Sequence, residues 1–298
     1  MTASNDPQQA LRDFPKQNDF FVGIDSDGCA FDTMEVKHKE CFIPRIIEYY
    51  DLAAVSKYAR EAAEFVNLYS KWRGINRFPA LTMALDLLAE RPEVHRRHHK
   101  LPALEGLRSW IKRETKLANS TLKAEVLSTG DPDLEQALEW SEAVNETVGR
   151  PVHNVPPFPF VRESLQSMQG RADAMVVSAT PGEALEREWE EHGLTPFVGL
   201  IAGQELGSKK EHLALAAVGR YPKDQILMIG DAPGDLAAAE ANGVLFYPID
   251  PGYEDESWQR FFEEVQPRFL NKNYAGDYMN AQIERFKKLL PDTPPWKK

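Results

Sequence analysis

The run Phe20-Phe21-Val22-Gly23-Ile24-Asp25-Ser26-Asp27-Gly28 constrains this chain more than any other stretch. An apolar segment that stops at two carboxylates one residue apart predicts a buried strand with an acidic tip, because residues i and i+2 of an extended backbone share a face. Asp25 and Asp27 can then converge on one small volume, while Gly28 lets the backbone turn away without a Cβ clash. Two like charges that close call for a cation. Mg²⁺ is the natural candidate, a hard ion with oxygen ligands that is commonly shared between protein carboxylates and a substrate phosphate. Taken alone, the same residues also describe a solvated Asp-Ser-Asp-Gly turn after a strand.

Three later segments repeat the pattern of an apolar run followed by a group useful to phosphate or metal. Ala174-Met175-Val176-Val177 leads into Ser178, and Ile226-Leu227-Met228-Ile229 leads through Gly230 to Asp231, with Asp235 four residues on. Between them, Ser208 and Glu211 have capping-box spacing and place Lys209 and Lys210 in the first turn of a helix. A helix N-terminus carries partial positive charge, so a lysine there makes sense mainly if an anion lies nearby. Ser178 could simply end a strand, with Thr180 as the better cap of the following helix because Thr180-Pro181-Gly182-Glu183 has capping-box spacing. Asp231 or Asp235 could cap a helix from Leu236 to Ala241, but capping needs only one carboxylate.

In this order the segments resemble the haloacid dehalogenase-like superfamily of phosphohydrolases and phosphotransferases. Asp25-Ser26-Asp27-Gly28-Cys29-Ala30-Phe31-Asp32-Thr33 looks like its first motif, with Cys29 where threonine is usual. Ser178 matches the hydroxyl of the second motif, Lys209 or Lys210 the lysine of the third, and Gly230-Asp231-Ala232-Pro233-Gly234-Asp235 the fourth. The resemblance covers residues 20 to 33 and about 160 to 250. It implies that Asp25 is the nucleophile of an aspartyl-phosphate route and that Asp27 protonates the leaving oxygen and later activates water. It also implies Mg²⁺ held by the Asp25 carboxylate, the Asp27 backbone carbonyl and Asp231. Ser178 and Lys209 would bind phosphoryl oxygens, and Asp235 would orient the lysine or a metal-bound water. Lys209 is favoured over Lys210 because it directly follows the cap. The expected reaction is hydrolysis of a small soluble phosphate monoester. Transfer to a second hydroxyl, as in a phosphomutase, and a catalytically weak phosphate-binding relative are the alternatives. Asp27 argues against the dehalogenases and phosphonate-cleaving members, which lack that second acid.

At 298 residues the chain is longer than one typical domain. Strands expected near 20 to 25, 174 to 178, 198 to 202, 225 to 230 and 244 to 247 alternate with helices in the later part, implying a parallel sheet covered on both faces. The fold class is therefore α/β, a Rossmann-like parallel sheet with an inserted α-helical cap domain and a C-terminal helical extension. The expected division is a discontinuous core at 19–32 and 156–250, a cap at 33–155, and an extension at 251–298 packed on the core. In the cap, Tyr58, Ala62, Phe65, Val66, Tyr69 and Trp72 follow helical spacing, as do Leu81, Leu85 and Leu88, and Asp131-Pro132 opens a further helix. Pro151, Pro156, Pro157 and Pro159 mark a stiff return crossing.

Substrate choice falls to the cap, expected to close over the site and exclude water. Arg73 and Arg77, in Trp72-Arg73-Gly74-Ile75-Asn76-Arg77-Phe78, are candidate contacts to a second anionic or sugar group, against the alternative of surface charges beside a packed Trp72. His95 and His99 are four apart, but interleaved Arg96, Arg97 and Lys100 make a solvated basic face the better reading. A net charge of −11, from 35 basic and 46 acidic residues, disfavours non-specific nucleic-acid binding. A small phosphorylated metabolite is the expected partner. Two cysteines, Cys29 and Cys41, form no secreted disulfide pattern, and no run approaches the ~20 apolar residues of a membrane span, so a reducing cytoplasm is the default location.

Overall fold

The computed structural model describes residues 6–149 and 152–297, so Pro151 of the expected crossing lies outside the described residues. Five strands form one sheet: β1 (Phe20–Ile24), β2 (Ala172–Val177), β3 (Leu200–Ala202), β4 (Ile226–Gly230) and β5 (Leu245–Pro248). Their spatial order is β3-β2-β1-β4-β5 and every pairing is parallel. All residues of β1, β2 and β4 are buried, as expected of strands covered on both faces. Val22 pairs with Ala174 on one side and Leu227 on the other, so a charge at Val22 would be stranded in the middle of the sheet.

The chain falls into two compact units, one of Met1–Thr33 with Asn154–Leu289 and one of Met34–His153 with Leu290–Lys298. The second is helical. Its α1 (Ser56–Asn67) and α2 (Arg77–Ala89) bury Ala62, Phe65 and Val66 from one and Leu81, Leu85 and Leu88 from the other. α3 (Glu105–Arg113) and α4 (Pro132–Val148) add Trp110 and Trp140 to the same cluster. Asp131 caps α4, its Oδ1 accepting from the N–H groups of Asp133 at 2.9 Å and Leu134 at 3.3 Å.

In the sheet-bearing unit, α5 (Gly182–Glu191) follows β2, α6 (Lys209–Ala216) follows β3 and α7 (Pro233–Asn242) joins β4 to β5. Beyond β5 come α8 (Glu254–Arg260), a π-helical turn at Phe261–Val265, a short helix Gln266–Leu270 and α9 (Asp277–Leu289). Trp258, Phe261, Val265 and Phe269 are buried in the same cluster as Val22, Ile24 and Phe31.

The last nine residues depart from expectation. The extension was read as packing on the core to its end, but from Leu290 onward the chain belongs to the helical unit. Pro291 accepts from the Lys71 N–H at 3.2 Å, and Trp296 packs edge-on against Phe65 at 5.7 Å with the Arg91 guanidinium 3.8 Å from its ring centre. Prolines at 291, 294 and 295 stop the helix, and the indole then gains apolar burial and a cation–π partner. Among the described residues, no helix is long and apolar enough to cross a membrane.

Candidate active site

The candidate side chains gather beyond the carboxyl ends of the strands, at β1, where the sheet order reverses between its two halves. Asp25 follows β1, Ser178 follows β2 and Asp231 follows β4. The loop after β1 is closed by its own backbone: the Ser26 carbonyl accepts from the N–H groups of Cys29, Ala30 and Phe31, and Gly28 donates to the Phe31 carbonyl at 2.7 Å. Gly28 has φ of 76°, a left-handed conformation that a side chain would strain. Gly230 is needed for space, because a Cβ there would lie 2.4 Å from the Cβ of Asp235.

Lys209, in the first turn of α6, is the cation of the site. Its Nζ lies 2.5 Å from Asp25 Oδ2 and 2.5 Å from Asp235 Oδ1, whereas Lys210 is exposed. The capping box that orients it is formed, the Ser208 N–H donating to Glu211 Oε2 at 2.8 Å and the Ser208 hydroxyl accepting from the Glu211 N–H at 3.3 Å. Asp235 also caps α7, its Oδ2 accepting from the Ala232 N–H at 3.0 Å. Capping thus accounts for Asp235 and leaves Asp231, 1% exposed, to be explained otherwise.

One oxygen from each of Asp25, Asp231 and Asp235 lies within 4.8 Å of the others. All three acids are buried, and the Lys209 ammonium pairs with two of them, Asp25 and Asp235. Carboxylates buried this close together are stabilised by positive charge. An all-oxygen donor set suits a hard divalent cation such as Mg²⁺, so the residues fit the ion that the motifs imply. The electrostatics agree. Burial, opposed by Lys209 and reinforced by Asp235, pushes the Asp25 carboxyl up to about 6. Burial likewise raises Asp235, against Lys209 and with Asp231 adding to the rise. Burial favours the neutral amine of Lys209, but Asp235 and Asp25 outweigh it and hold the ammonium charged.

Asp27 stands apart. Its carboxylate is half-buried and accepts from the Thr180 hydroxyl at 2.6 Å through Oδ2 and from the Thr33 hydroxyl through Oδ1. The Asp27 carboxylate is thus engaged with two hydroxyls, which leaves the expected ligand from this residue, its backbone carbonyl, unaffected, and Asp235 joins Asp25 and Asp231 in the acid cluster while bonding Lys209. Thr180 is also reassigned, since it does not cap α5. Pro181 occupies the cap position, Glu205 Oε2 accepts from the Gly182 N–H at 2.9 Å, and the Thr180 hydroxyl is freed for Asp27. Ser178 is 2% exposed, and its hydroxyl accepts from the Thr180 N–H at 3.2 Å. Neither threonine was singled out as an Asp27 partner. Thr33 had a signal in its place at the end of the first motif, and Thr180 had only a hydroxyl two residues after Ser178.

Arg73 and Arg77 belong to the helical unit. The Arg73 side chain is buried and donates to the Leu68 carbonyl at 2.9 Å, just past the end of α1. Arg77 donates to the Ser141 carbonyl at 3.1 Å, the Ser141 hydroxyl at 2.9 Å and Asn145 Oδ1 at 2.7 Å, tying α2 to α4, and burial lowers its guanidinium to about 10. Both contribute hydrogen bonds within the helical unit. His95 is exposed, and among the described residues the Asp25, Asp231 and Asp235 group is the one cluster with metal-ligand spacing.

No family model matches the chain, and no curated protein does. Among solved structures, a HAD-superfamily hydrolase of subfamily IA from Geobacter sulfurreducens is 19% identical, with 78% of this chain and 90% of that chain covered at a TM-score of 0.39. A haloacid dehalogenase-like family hydrolase from Xanthomonas campestris is 14% identical over 87% of this chain and 95% of its own, with a TM-score of 0.43. CbbY from Rhodobacter sphaeroides, solved in complex with phosphate, is 13% identical over 78% and 86%, with a TM-score of 0.40. Likeness of this degree does not reach the chemistry, which is read from the side chains above.

Proposed function

We propose that the chain is a Mg²⁺-dependent phosphohydrolase of the haloacid dehalogenase-like type, acting on a small soluble phosphate monoester, with the helical insertion in the role of cap. The observation that carries this reading is the buried group of Asp25, Asp231 and Asp235 around Lys209 at the strand ends. Asp25 and Asp231 would hold the ion, which when bound supplies the positive charge that lets a carboxylate and a phosphate approach each other.

This chain's own residues do the rest. The Ser26 N–H, 2.8 Å from Asp25 Oδ1, orients the nucleophile. Its carboxylate oxygen attacks phosphorus as the ester P–O bond breaks, and Asp27 gives its proton to the departing oxygen. Asp27 then takes a proton from water. That water attacks phosphorus, the bond to Asp25 breaks, and inorganic phosphate leaves. Hydroxyl partners suit Asp27 in both roles, because Thr33 and Thr180 can donate to the carboxylate and accept from the acid, whereas backbone N–H or lysine partners would hold it ionised. Lys209 and Ser178 would neutralise and hydrogen-bond the phosphoryl oxygens.

The test is phosphate release from a generic aryl phosphate with Mg²⁺ present. Asp25→Asn is expected to reduce turnover to background while the protein stays folded, and retained turnover in that variant would overturn the mechanism. Transfer of the phosphoryl group to an added alcohol without phosphate release would select the phosphotransferase alternative.

A further inference from the structure

Ser26 organises the loop that carries both acids. Its N–H orients Asp25, its carbonyl closes the turn, and its fully buried hydroxyl accepts from the indole Nε1 of Trp189 at 3.0 Å and donates to Glu188 Oε2 at 2.8 Å. Three residues on, the Cys29 carbonyl accepts from the indole Nε1 of Trp258 at 2.7 Å. The two indoles reach the loop from sequence distances of 163 and 229 residues, one on α5 and one on α8, and both are fully buried. Phe31, at the end of the loop, packs edge-on against Trp189 at 5.7 Å.

Packing alone does not require these bonds. In the helical unit the chain buries Trp110 and Trp140 with no acceptor for either indole N–H. In the sheet-bearing unit the indole donors of Trp189 and Trp258 both end on the short segment between Asp25 and Phe31. Buried indole donors aimed at a loop fix its position at little entropic cost, because each side chain has two torsions and both are locked by packing. An acid displaced by about 1 Å from its reacting geometry loses roughly 100-fold in rate, so a loop bearing nucleophile and general acid is where such restraint has value.

We propose that Trp189 and Trp258 are positioning residues that clamp the acid loop from two sides, one through the Ser26 hydroxyl and the other through the Cys29 carbonyl. The segment after Pro251 is then part of the catalytic apparatus and not merely an appended flank. The inference rests on the phosphohydrolase reading for its kinetic consequence, but not for the clamp itself.

Two measurements on Trp189→Phe and Trp258→Phe test it, with Trp140→Phe as a control that removes an unbonded buried indole. The first is amide hydrogen exchange of the peptide spanning residues 25–33. Exchange there is expected to rise about tenfold in both variants and to stay unchanged in the control. The second is the kinetic split on an aryl phosphate: kcat is expected to fall about tenfold with KM within about twofold, while the control keeps wild-type kcat. Unchanged loop exchange overturns the clamp whatever turnover does, and so does unchanged kcat against an active wild type. An inactive wild type would refute the phosphohydrolase reading separately, with exchange still deciding the clamp. If Trp189→Phe fails to fold, Ser26→Ala deletes the hydroxyl and both of its bonds while leaving the tryptophan in place, and the same outcomes apply to that arm. If Trp258→Phe fails to fold, the Trp258 indole N–H of the wild-type protein is expected to exchange no faster than the amides of residues 25–33, and faster exchange overturns that arm.

Discussion

Asp25 and Asp250 are both buried aspartates, and burial pushes each up to about 6, yet their surroundings differ in sign. Asp250, just beyond β5, sits against two guanidinium groups: Arg285 donates to its Oδ2, and Arg260 lies 3.6 Å away. Asp25 shares one ammonium with Asp235 and has Asp231 beside it. At Asp250 protein cations outnumber the acid, so the group is finished without help. At Asp25 one ammonium is shared by two of three clustered acids, and the ion of the proposed function would add positive charge there. A raised carboxyl alone therefore does not separate scaffold from site; the local balance of charge does.

The widest separation is expected in activity. Asp250→Asn should leave kcat on an aryl phosphate within about twofold of wild type, against the loss expected for Asp25→Asn, and a large loss in Asp250→Asn would break the distinction between the two acids.

The next effect concerns His212, which lies in α6 one turn beyond Lys209 and is fully buried. Burial, reinforced by Lys209, lowers its imidazole to about 4 from an ordinary 6.5. Between those values the unfolded chain binds a proton that the folded protein refuses, so stability rises with pH across the window. The contribution is complete above about pH 6.5, declines as the solution is acidified and is gone near pH 4, amounting to about 3 kcal/mol. Denaturant unfolding at pH 4 and pH 7 should show His212→Gln losing less stability on acidification than wild type by that amount. Equal losses would mean that the ring takes up its proton without leaving its site.

Metal response follows. Mg²⁺ at about a hundred times its dissociation constant should stabilise the folded protein by about 2.7 kcal/mol. The rise in melting temperature should persist in Asp250→Asn and vanish in Asp231→Asn. A Mg²⁺ shift that survives in Asp231→Asn would place the ion elsewhere.

The smallest effect is a contrast of signs. Without metal, Asp25→Asn should raise the melting temperature, because it removes one of three crowded carboxylates. Asp250→Asn should lower it, since Arg285 loses a charged hydrogen bond worth about 1 kcal/mol after allowance for its partial exposure. Shifts of the same sign would show that desolvation, and not local charge balance, governs both sites.

Much of the core was legible because its signals are local. The five strands lie close to the expected positions, since parallel strands buried on both faces need continuous apolar runs. The choice of Lys209 over Lys210 followed from the capping box, which sets which side chain of the first turn faces the sheet. The places of Arg73 and Arg77 were not legible, because mixed aromatic and guanidinium composition describes a ligand contact and a packed helix joint equally well. It does not say that one donates to the Leu68 carbonyl and the other to the Ser141 carbonyl. The tail was misread because nothing in Pro-Asp-Thr-Pro-Pro-Trp says which surface will receive the tryptophan.

By itself the sequence determined the alternation of strand and helix, the acid tip of β1 and the order of the polar groups along the chain, all consequences of periodicity and spacing within a few residues. Tertiary structure alone decided that Asp27 turns to Thr33 and Thr180, that Asp235 joins the acid cluster, and that Trp189 and Trp258 meet the loop between Asp25 and Phe31. Apart from the neighbouring pair Asp27 and Thr33, these are contacts between residues from 153 to 229 positions apart, or a choice among carboxylates set by which are buried together. No local pattern encodes them, because their free energy comes from desolvation and from partners that only the folded chain brings within reach.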